Sequence, residues 1–232
     1  MTRHCLVTGA NRGLGLEFVR QLLARGDRVV ATARRPAQAH DLNRLSGEHP
    51  GRLHVLPLDV ADPRSHAELA RELPLADEHG LDLLVHNAGV MASGERFGTV
   101  AARDLDSAFR TNAAGPFLLT QALAARLAPG AKVAAIGSSL GAMSATARFG
   151  TPSYAISKAA LNMAVVQLAH ALRERGIAVY ALNPGWVRTA MGGERAPLLP
   201  QDSVAAMLRT LDRLALSDSG GFFQYDGERL GW

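Results

Sequence analysis

Strand-like and helix-like stretches alternate along nearly the whole chain, and this alternation constrains the fold more than any other feature. Apolar runs predict strands at residues 5–8, 28–33, 53–58, 81–86, 132–137, 177–182 and 222–225. Helical patterns lie between them, at residues 14–24, 36–45, 63–73, 101–127 (with a break near 115–116), 153–171 and 201–215. Apolar strands separated by helices indicate a parallel sheet covered on both faces. The sequence therefore predicts an α/β fold with one doubly wound, seven-stranded parallel sheet, formed by residues 1–232 as a single domain.

Composition excludes several classes of protein. The formal charge is only +4 and the basic residues are scattered, so we expect no nucleic-acid partner. No apolar stretch has the length of a bilayer span and residues 1–4 lack signal-peptide features, so we expect a cytoplasmic protein without membrane contact. Cys5 lies in an apolar run and is expected in the core. The eight histidines lack metal-ligand spacing, so no metal site is expected.

A glycine-rich turn joins the first predicted strand to the first predicted helix. Residues 8–15, Thr-Gly-Ala-Asn-Arg-Gly-Leu-Gly, have the pattern G-x-x-x-G-x-G. Glycines let the backbone approach a pyrophosphate, and a helix N-terminus supplies free N–H groups and a positive dipole. A glycine-rich turn without a ligand is the alternative, but the position at the first strand–helix junction favours a dinucleotide phosphate.

The end of the second predicted strand carries arginines where NAD-binding proteins carry an acid. An acidic residue at this point binds the ribose 2′-hydroxyl of NAD. Here Arg34 and Arg35 follow the strand, and guanidinium groups suit a 2′-phosphate. Arg12, in the glycine loop, adds a second cation. The sequence predicts NADP(H) rather than NAD(H), with one of the two strand-end arginines merely solvated.

Tyr154 and Lys158 stand four residues apart in a predicted helix, and therefore on the same face. A free phenol has a pKa of about 10, and a neighbouring cation lowers it. The pair is thus a candidate proton donor for general acid–base catalysis. Alone, the spacing is more typical of an ordinary contact on a helix surface than of a catalytic pair.

Taken together, these motifs resemble those of the short-chain dehydrogenase/reductase family, over residues 6–232. Besides the glycine loop and the Tyr154–Lys158 pair, the resemblance rests on further motifs in the family's order: Asp59-Val60, Asn87-Ala88-Gly89, Asn112, Ser138-Ser139, and the segment 183–189 with Pro184-Gly185 and Thr189. Within the family, the segments 157–162, 191–193 and 222–232 are most similar to the C-factor and sniffer-like carbonyl reductase branch.

The resemblance implies a single-domain Rossmann fold, a dinucleotide site and a catalytic set. Cofactor contacts are expected from Gly9, Asn11, Arg12, Gly13, Leu14, Gly15, Arg34, Asp59, Val60, Asn87, Ala88, Gly89, Tyr154, Lys158, Pro184, Gly185, Val187 and Thr189. The implied catalytic residues are Asn112, Ser139 (preferred to Ser138), Tyr154 and Lys158. For Asn112, a role in anchoring a water and a structural role at a helix kink are both open.

The implied activity is hydride transfer between NADP(H) and a carbonyl or alcohol of a small, mostly apolar substrate. The alternative is an NADP(H)-binding regulatory or signalling protein of C-factor type with little turnover. The family's usual assembly implies a homodimer or homotetramer, built here from the helices at 113–127 and 153–174. Val165, Leu168 and Leu172 are its candidate contacts, unless they pack only against the sheet.

Overall fold

An eight-stranded sheet runs through the centre of the molecule. The computed structural model describes residues 2–74 and 80–232. Its strands are β1 (His4–Val7), β2 (Arg28–Ala33), β3 (Leu53–Pro57), β4 (Leu81–His86), β5 (Leu127–Ile136), β6 (Ala178–Asn183), β7 (Phe222–Gln224) and β8 (Arg229–Leu230). They lie in the order β3-β2-β1-β4-β5-β6-β7-β8. The predicted seven parallel strands are confirmed, and β8 adds a short antiparallel strand beside β7.

Helices cover both faces of the sheet, as predicted. They are α1 (Gly13–Ala24), α2 (His40–Glu48), α3 (Pro63–Glu72), α4 (Ala102–Phe109), α5 (Gly115–Leu123), α6 (Pro152–Leu172) and α7 (Pro200–Arg213). One core cluster joins α1, α2 and α7 to the sheet, and a second joins α3, α5 and α6 to it. Within β1, Cys5 and Val7 face the first cluster and Leu6 the second. Because the inner strands β1, β2, β4 and β6 are buried on both sides, their residues are mostly apolar without alternation.

The predicted break near residues 115–116 is a widened helical turn. The chain stays helical from α4 through a π-helical segment, Arg110–Ala114, into α5. Pro116 has no N–H, so the carbonyl of Asn112 cannot receive the usual hydrogen bond from the residue four positions on. A π turn places the irregularity one turn before the proline and holds Asn112 within it.

The long helix α6 is a core element. Val165, Leu168 and Leu172 are buried in the cluster against the sheet, so they are not available as the interface stripe that the sequence suggested. Among the described residues, Pro152–Arg175 is long and apolar enough to cross a membrane by length and composition alone. Packing of its apolar side against the sheet accounts for that composition equally well.

The strand order places a crevice at the carboxyl edge of the sheet. From β1 the chain proceeds outwards to β2 and β3, then returns to β4 on the other side of β1. In open α/β sheets, ligands bind outside the carboxyl ends of the strands at such a reversal. Residues after β1, β2, β4, β5 and β6 are therefore brought to one place.

Candidate active site

A cleft of about 1260 Å³ opens at the carboxyl edge of the sheet. It brings together most of the residues that the sequence singled out. The lining includes Gly9, Asn11, Arg12, Gly13, Leu14, Arg34, Asp59, Val60, Asn87, Ala88, Gly89, Ser139, Tyr154, Lys158, Pro184, Gly185, Val187 and Thr189. Gly15 and Asn112 do not line the cleft. Both support residues of its wall, Gly15 through close packing and Asn112 through hydrogen bonds.

The glycine loop is tied to the end of β4. The hydroxyl oxygen of Thr8 accepts hydrogen bonds from the backbone N–H groups of Asn87 (3.0 Å) and Ala88 (3.1 Å). The amide nitrogen of Asn87 donates in return to the carbonyls of Thr8 (2.9 Å) and Gly9 (3.0 Å). These four bonds hold the loop open at the cleft, with the N-terminus of α1 directed towards it.

Gly15 permits this arrangement by being small. A Cβ atom at position 15 would lie 2.4 Å from the side-chain nitrogen of Asn87 and 2.5 Å from the carbonyl oxygen of Gly9. Either approach is sterically forbidden, so only glycine lets α1 start this close to the loop. The sequence suggested Gly15 as a cofactor contact, and the structure shows that a glycine is required there for packing.

Two arginines line the cleft beside the glycine loop and the end of β2. Arg12 and Arg34 are exposed and line it, whereas Arg35 is exposed and does not. Asp59, also on the wall, uses its Oδ1 to accept from the backbone N–H of Ala61 at 3.0 Å. The cations at this end are therefore available to an anionic ligand, and Arg34 is the strand-end arginine in position to bind one.

Asn112 holds the end of β4 to α6. Its Oδ1 accepts from the N–H of Val90 (2.8 Å), and its Nδ2 donates to the carbonyl of Val90 (2.8 Å) and the hydroxyl of Ser157 (2.9 Å). The structural role for the side chain is thereby supported. Its backbone carbonyl, which has no N–H donor at position 116, is the atom left to serve a water.

Ser138, rather than Ser139, contacts the tyrosine. A hydrogen bond joins the Ser138 and Tyr154 side chains, and the Ser138 hydroxyl also accepts from the backbone N–H of Leu140 at 3.2 Å. Ser139 is exposed at the start of the next turn. Because β5 ends at Ile136 and the chain turns immediately afterwards, only the first serine is directed at Tyr154. The structure favours Ser138 over the Ser139 preferred from sequence.

Burial dominates the electrostatics of the tyrosine. It raises the pKa of Tyr154, and the hydrogen bond from Ser138 opposes this by favouring the phenolate. The lowering of the Tyr154 pKa that we expected from Lys158 is not observed. The Lys158 Nζ lies 5.5 Å from the ring centroid and donates to the carbonyl of Ile136 at 2.6 Å. Tyr154 is therefore protonated at neutral pH.

Lys158 is a buried cation. Its side chain is almost entirely enclosed, and burial lowers its pKa to about 8. The ammonium form is present at neutral pH and is lost as the pH rises through that value. An incoming negative or hydroxyl-bearing ligand would compensate for the lost hydration of this group.

Several residues of the cleft wall were missed from the sequence. The main ones are Thr111, Asn183, Arg188, Gln224 and Glu228. Asn183 and Gln224 end neighbouring strands, and the Asn183 amide donates to the Gln224 oxygen at 2.6 Å. A polar residue at the carboxyl end of a predicted strand was the signal that could have found this pair. Within residues 2–74 and 80–232, no group of three or more His, Cys, Asp or Glu side chains could hold a metal ion.

Comparison with known proteins identifies the family. A family model described as short chain dehydrogenase matches residues 3–198. The protein therefore belongs to the short-chain dehydrogenase family.

Individual relatives agree with this assignment. The C-signal of Myxococcus xanthus is 42% identical over 154 residues, covering 66% of this chain and 93% of that protein. The carbonyl reductase Sniffer of D. melanogaster superposes with a TM-score of 0.95 at 31% identity, covering 100% of both chains. An NADPH-bound carbonyl reductase from chicken fatty liver gives 0.94 at 35% identity, covering 100% of this chain and 99% of the other.

The contact between Ser138 and Tyr154 can be tested by titration. Ser138→Ala removes the hydrogen bond that favours the phenolate, so the Tyr154 pKa should rise further. At about pH 10.5, the phenolate fraction read from ¹³C-labelled tyrosine rings should fall below that of the wild type. Ser139→Ala is the matched control and should titrate like the wild type. An equal shift in both variants would contradict the assignment.

Proposed function

We propose that this protein is an NADP(H)-dependent carbonyl reductase that acts on a small, mostly apolar aldehyde or ketone. The observation that carries the proposal is the grouping of the hydrogen-bonded Ser138–Tyr154 pair with the Lys158 ammonium. All three line one cleft with the glycine loop. A proton donor, an oxyanion partner and a dinucleotide cradle in one cleft are the parts that such a reaction needs.

The residues present fit NADP(H). The loop at residues 8–15 offers N–H groups and the α1 N-terminus to a pyrophosphate. Arg12 and Arg34 lie at the end of the cleft where a 2′-phosphate would sit, and no acid occupies that position. Two structures similar to this one are described as binding NADPH and NADP. These observations support NADP(H) over NAD(H).

In this mechanism, a bound NADPH supplies the hydride that reduces the carbonyl carbon. Tyr154, protonated because burial raises its pKa, gives its hydroxyl proton to the carbonyl oxygen. Ser138 donates a hydrogen bond to the same oxygen as negative charge develops there. Lys158 holds the ribose hydroxyls and stabilises the phenolate once the proton has left. We expect the Asn112 carbonyl to bind a water that links Lys158 to solvent, so that the proton lost from Tyr154 is replaced.

The substrate end of the cleft is mostly apolar. Leu140, Trp186, Met191 and Leu230 line it. The indole N–H of Trp186 donates to the carbonyl of Gly192 at 2.8 Å, so the ring adds an apolar wall without an unsatisfied donor. A carbonyl compound with a hydrocarbon or aromatic body fits these walls best.

We also propose that the protein forms a homodimer or homotetramer and that it is cytoplasmic. Phe109, Leu118, Ile156 and Met163 are exposed on α4, α5 and α6. They replace the buried stripe of α6 as candidate contacts between copies. Cys5 is a free, buried thiol, as suits a reducing compartment.

An NADP(H)-binding regulatory protein is the second candidate, because one relative carries the name C-signal. A binding module would need the glycine loop and the arginines but has no evident need for the Ser138–Tyr154 pair. The intact pair therefore favours the enzyme.

Nucleotide titration followed by a turnover assay separates the two candidates. NADPH and NADH binding would be measured by fluorescence, and a panel of aldehydes, ketones and quinones then added to the same sample. Tighter NADPH binding with cofactor oxidation supports the reductase. Binding without turnover across the panel supports the regulatory protein, and failure to bind either nucleotide would contradict both.

Tyr154→Phe removes the proposed proton donor while keeping the ring. We expect kcat for reduction to fall by about 10²- to 10⁴-fold, because the developing oxyanion is no longer protonated. The Kd for NADPH should change little. Steady-state kinetics with parallel fluorescence titration measure both quantities, and full activity in the variant would remove Tyr154 from this role.

Arg34→Ala tests the 2′-phosphate contact. Losing a charge-assisted hydrogen bond of about 1.5–3 kcal/mol should weaken NADPH binding by roughly ten- to a hundredfold and leave NADH nearly unaffected. Arg35→Ala is the matched control, because Arg35 follows Arg34 in the chain but does not line the cleft. Equal losses for the two nucleotides would count against the assignment.

The buried lysine predicts a pH dependence of nucleotide binding. Lys158 is charged below its pKa of about 8 and neutral above it, so NADPH affinity should fall as the pH rises from about 7 to about 9.5. Fluorescence titrations across this range measure the effect. Lys158→Met should bind more weakly at neutral pH and lack the transition; a parallel decline in both proteins would assign it to another group.

A further inference from the structure

Residues 222–232, here called the edge hairpin, lie outside the part of the chain that the family model matches. The hairpin comprises β7, a turn and β8, followed by Gly231 and Trp232. Leu230 lines the cleft, and the Trp232 ring stacks on Phe222 at 5.5 Å with an interplanar angle of 8°. The second strand of the hairpin therefore contributes Leu230 to the cleft wall, and the Phe222–Trp232 stack supports the hairpin from within.

The edge hairpin also holds the segment that follows β5, residues 138–145. The backbone N–H of Ser144 donates to the main-chain oxygen of Trp232 at 3.0 Å. A Cβ atom on Gly231 would lie 3.1 Å from the Ser144 hydroxyl, so the two backbones run close together. One end of the segment that begins with Ser138 is thus anchored to the hairpin.

The opposite side of the same segment rests on α6. A Cβ atom at Gly141 would lie 2.7 Å from both the carbonyl carbon and the Cβ of Lys158, which leaves no room for a larger residue. Asn162 Nδ2 donates to the Gly141 carbonyl at 3.1 Å. The segment is therefore clamped between the helix that carries Tyr154 and the edge hairpin.

We propose that Trp232 is a positioning residue for the reaction: through its stack on Phe222 and its bond from Ser144, it sets the position of residues 138–145 relative to Tyr154. The proposal rests on the proposed function. Ser138 must stay within hydrogen-bonding reach of both Tyr154 and the substrate oxygen, and Leu140 in the same segment forms part of the apolar wall. Loosening this anchor disturbs carbonyl orientation, whereas the nucleotide loops after β1, β2 and β4 are untouched.

Kinetics of Trp232→Ala test the consequence for the substrate. With an aromatic aldehyde as the probe, kcat/KM should fall by about ten- to a hundredfold, since small misplacements of positioning groups cost rates of this order. The Kd for NADPH should stay within about twofold of the wild type. Trp232→Phe, which keeps a ring to stack on Phe222, should restore most of the activity.

Phe223→Ala is the matched control for lost stability. Phe223 is buried in β7 next to Phe222, but it packs into the other core cluster, against Tyr180, and does not line the cleft. Its removal should lower Tm at least as much as Trp232→Ala and leave kcat/KM for the folded enzyme nearly unchanged. Equal kinetic losses in the two variants, or no loss in Trp232→Ala, would overturn the proposal.

Hydrogen exchange tests the anchor without relying on turnover. Peptides covering residues 138–145 should exchange faster in Trp232→Ala than in the wild type and Phe223→Ala. Unchanged exchange would overturn the anchor, whatever the kinetics show. A wild-type protein that reduces no carbonyl would contradict the proposed function, and the exchange result would still decide whether Trp232 holds this segment.

Discussion

The hydrogen bonds between Thr8 and Asn87 join the two strand ends between which the cleft opens. Each is worth about 0.5–1.5 kcal/mol net, but leaving any of these groups unpaired at a half-buried strand end would cost more. They fix the glycine loop relative to the end of β4, and Gly15 allows α1 to begin directly behind it. From β4 the linkage continues through Val90 and Asn112 to Ser157 on α6. The nucleotide and catalytic parts of the site are thus connected by hydrogen bonds between secondary-structure elements.

Burial acts in opposite directions on the two titratable groups of the catalytic pair. It raises the pKa of the neutral acid Tyr154 and lowers that of the cation Lys158, so the two values move apart and the Tyr154 value ends above the Lys158 value. Sequence spacing alone suggested attraction between them, because i and i+4 share a helix face. The spacing does not reveal how much water surrounds each group. Desolvation is therefore the main cause of both pKa shifts, and the hydrogen bond from Ser138 reduces the rise in the Tyr154 pKa.

The grouping of the glycine loop with Arg34 and the end of β4 could be predicted from the sequence, whereas the details of the cleft around β5 and α6 could not. Glycines, the strand-end Arg34 and the motif after β4 are local patterns whose geometry follows from the adjoining strand and helix. The choice between Ser138 and Ser139 depends on where β5 ends, which periodicity fixes only to within a few residues. Val165 and Leu168 were assigned to an interface because an apolar helical stripe looks the same whether it faces a sheet or another molecule. The anchoring of Ser144 by Trp232 joins residues 88 positions apart, and no local pattern encodes such a contact.

His86, the last residue of β4, makes another contact that no local sequence pattern encodes. Its Nε2 lies 2.7 Å from the Thr120 hydroxyl, which itself donates to the carbonyl of Pro116. Complete burial lowers the His86 pKa to about 3, so the ring is neutral. Its hydrogen bond to Thr120 connects β4 to α5. His86 therefore supports α5 from the interior and does not line the cleft.

The two ends of the sheet affect how the protein behaves in a crowded solution. Exposed strand edges carry unpaired N–H and C=O groups that can recruit strands of other chains. Here β3 forms one edge and ends at Pro57, which has no N–H to donate, and the other edge is β8, only two residues long. Neither edge offers a long, regular template. Strands of other chains therefore find few regularly spaced backbone groups at either edge with which to pair.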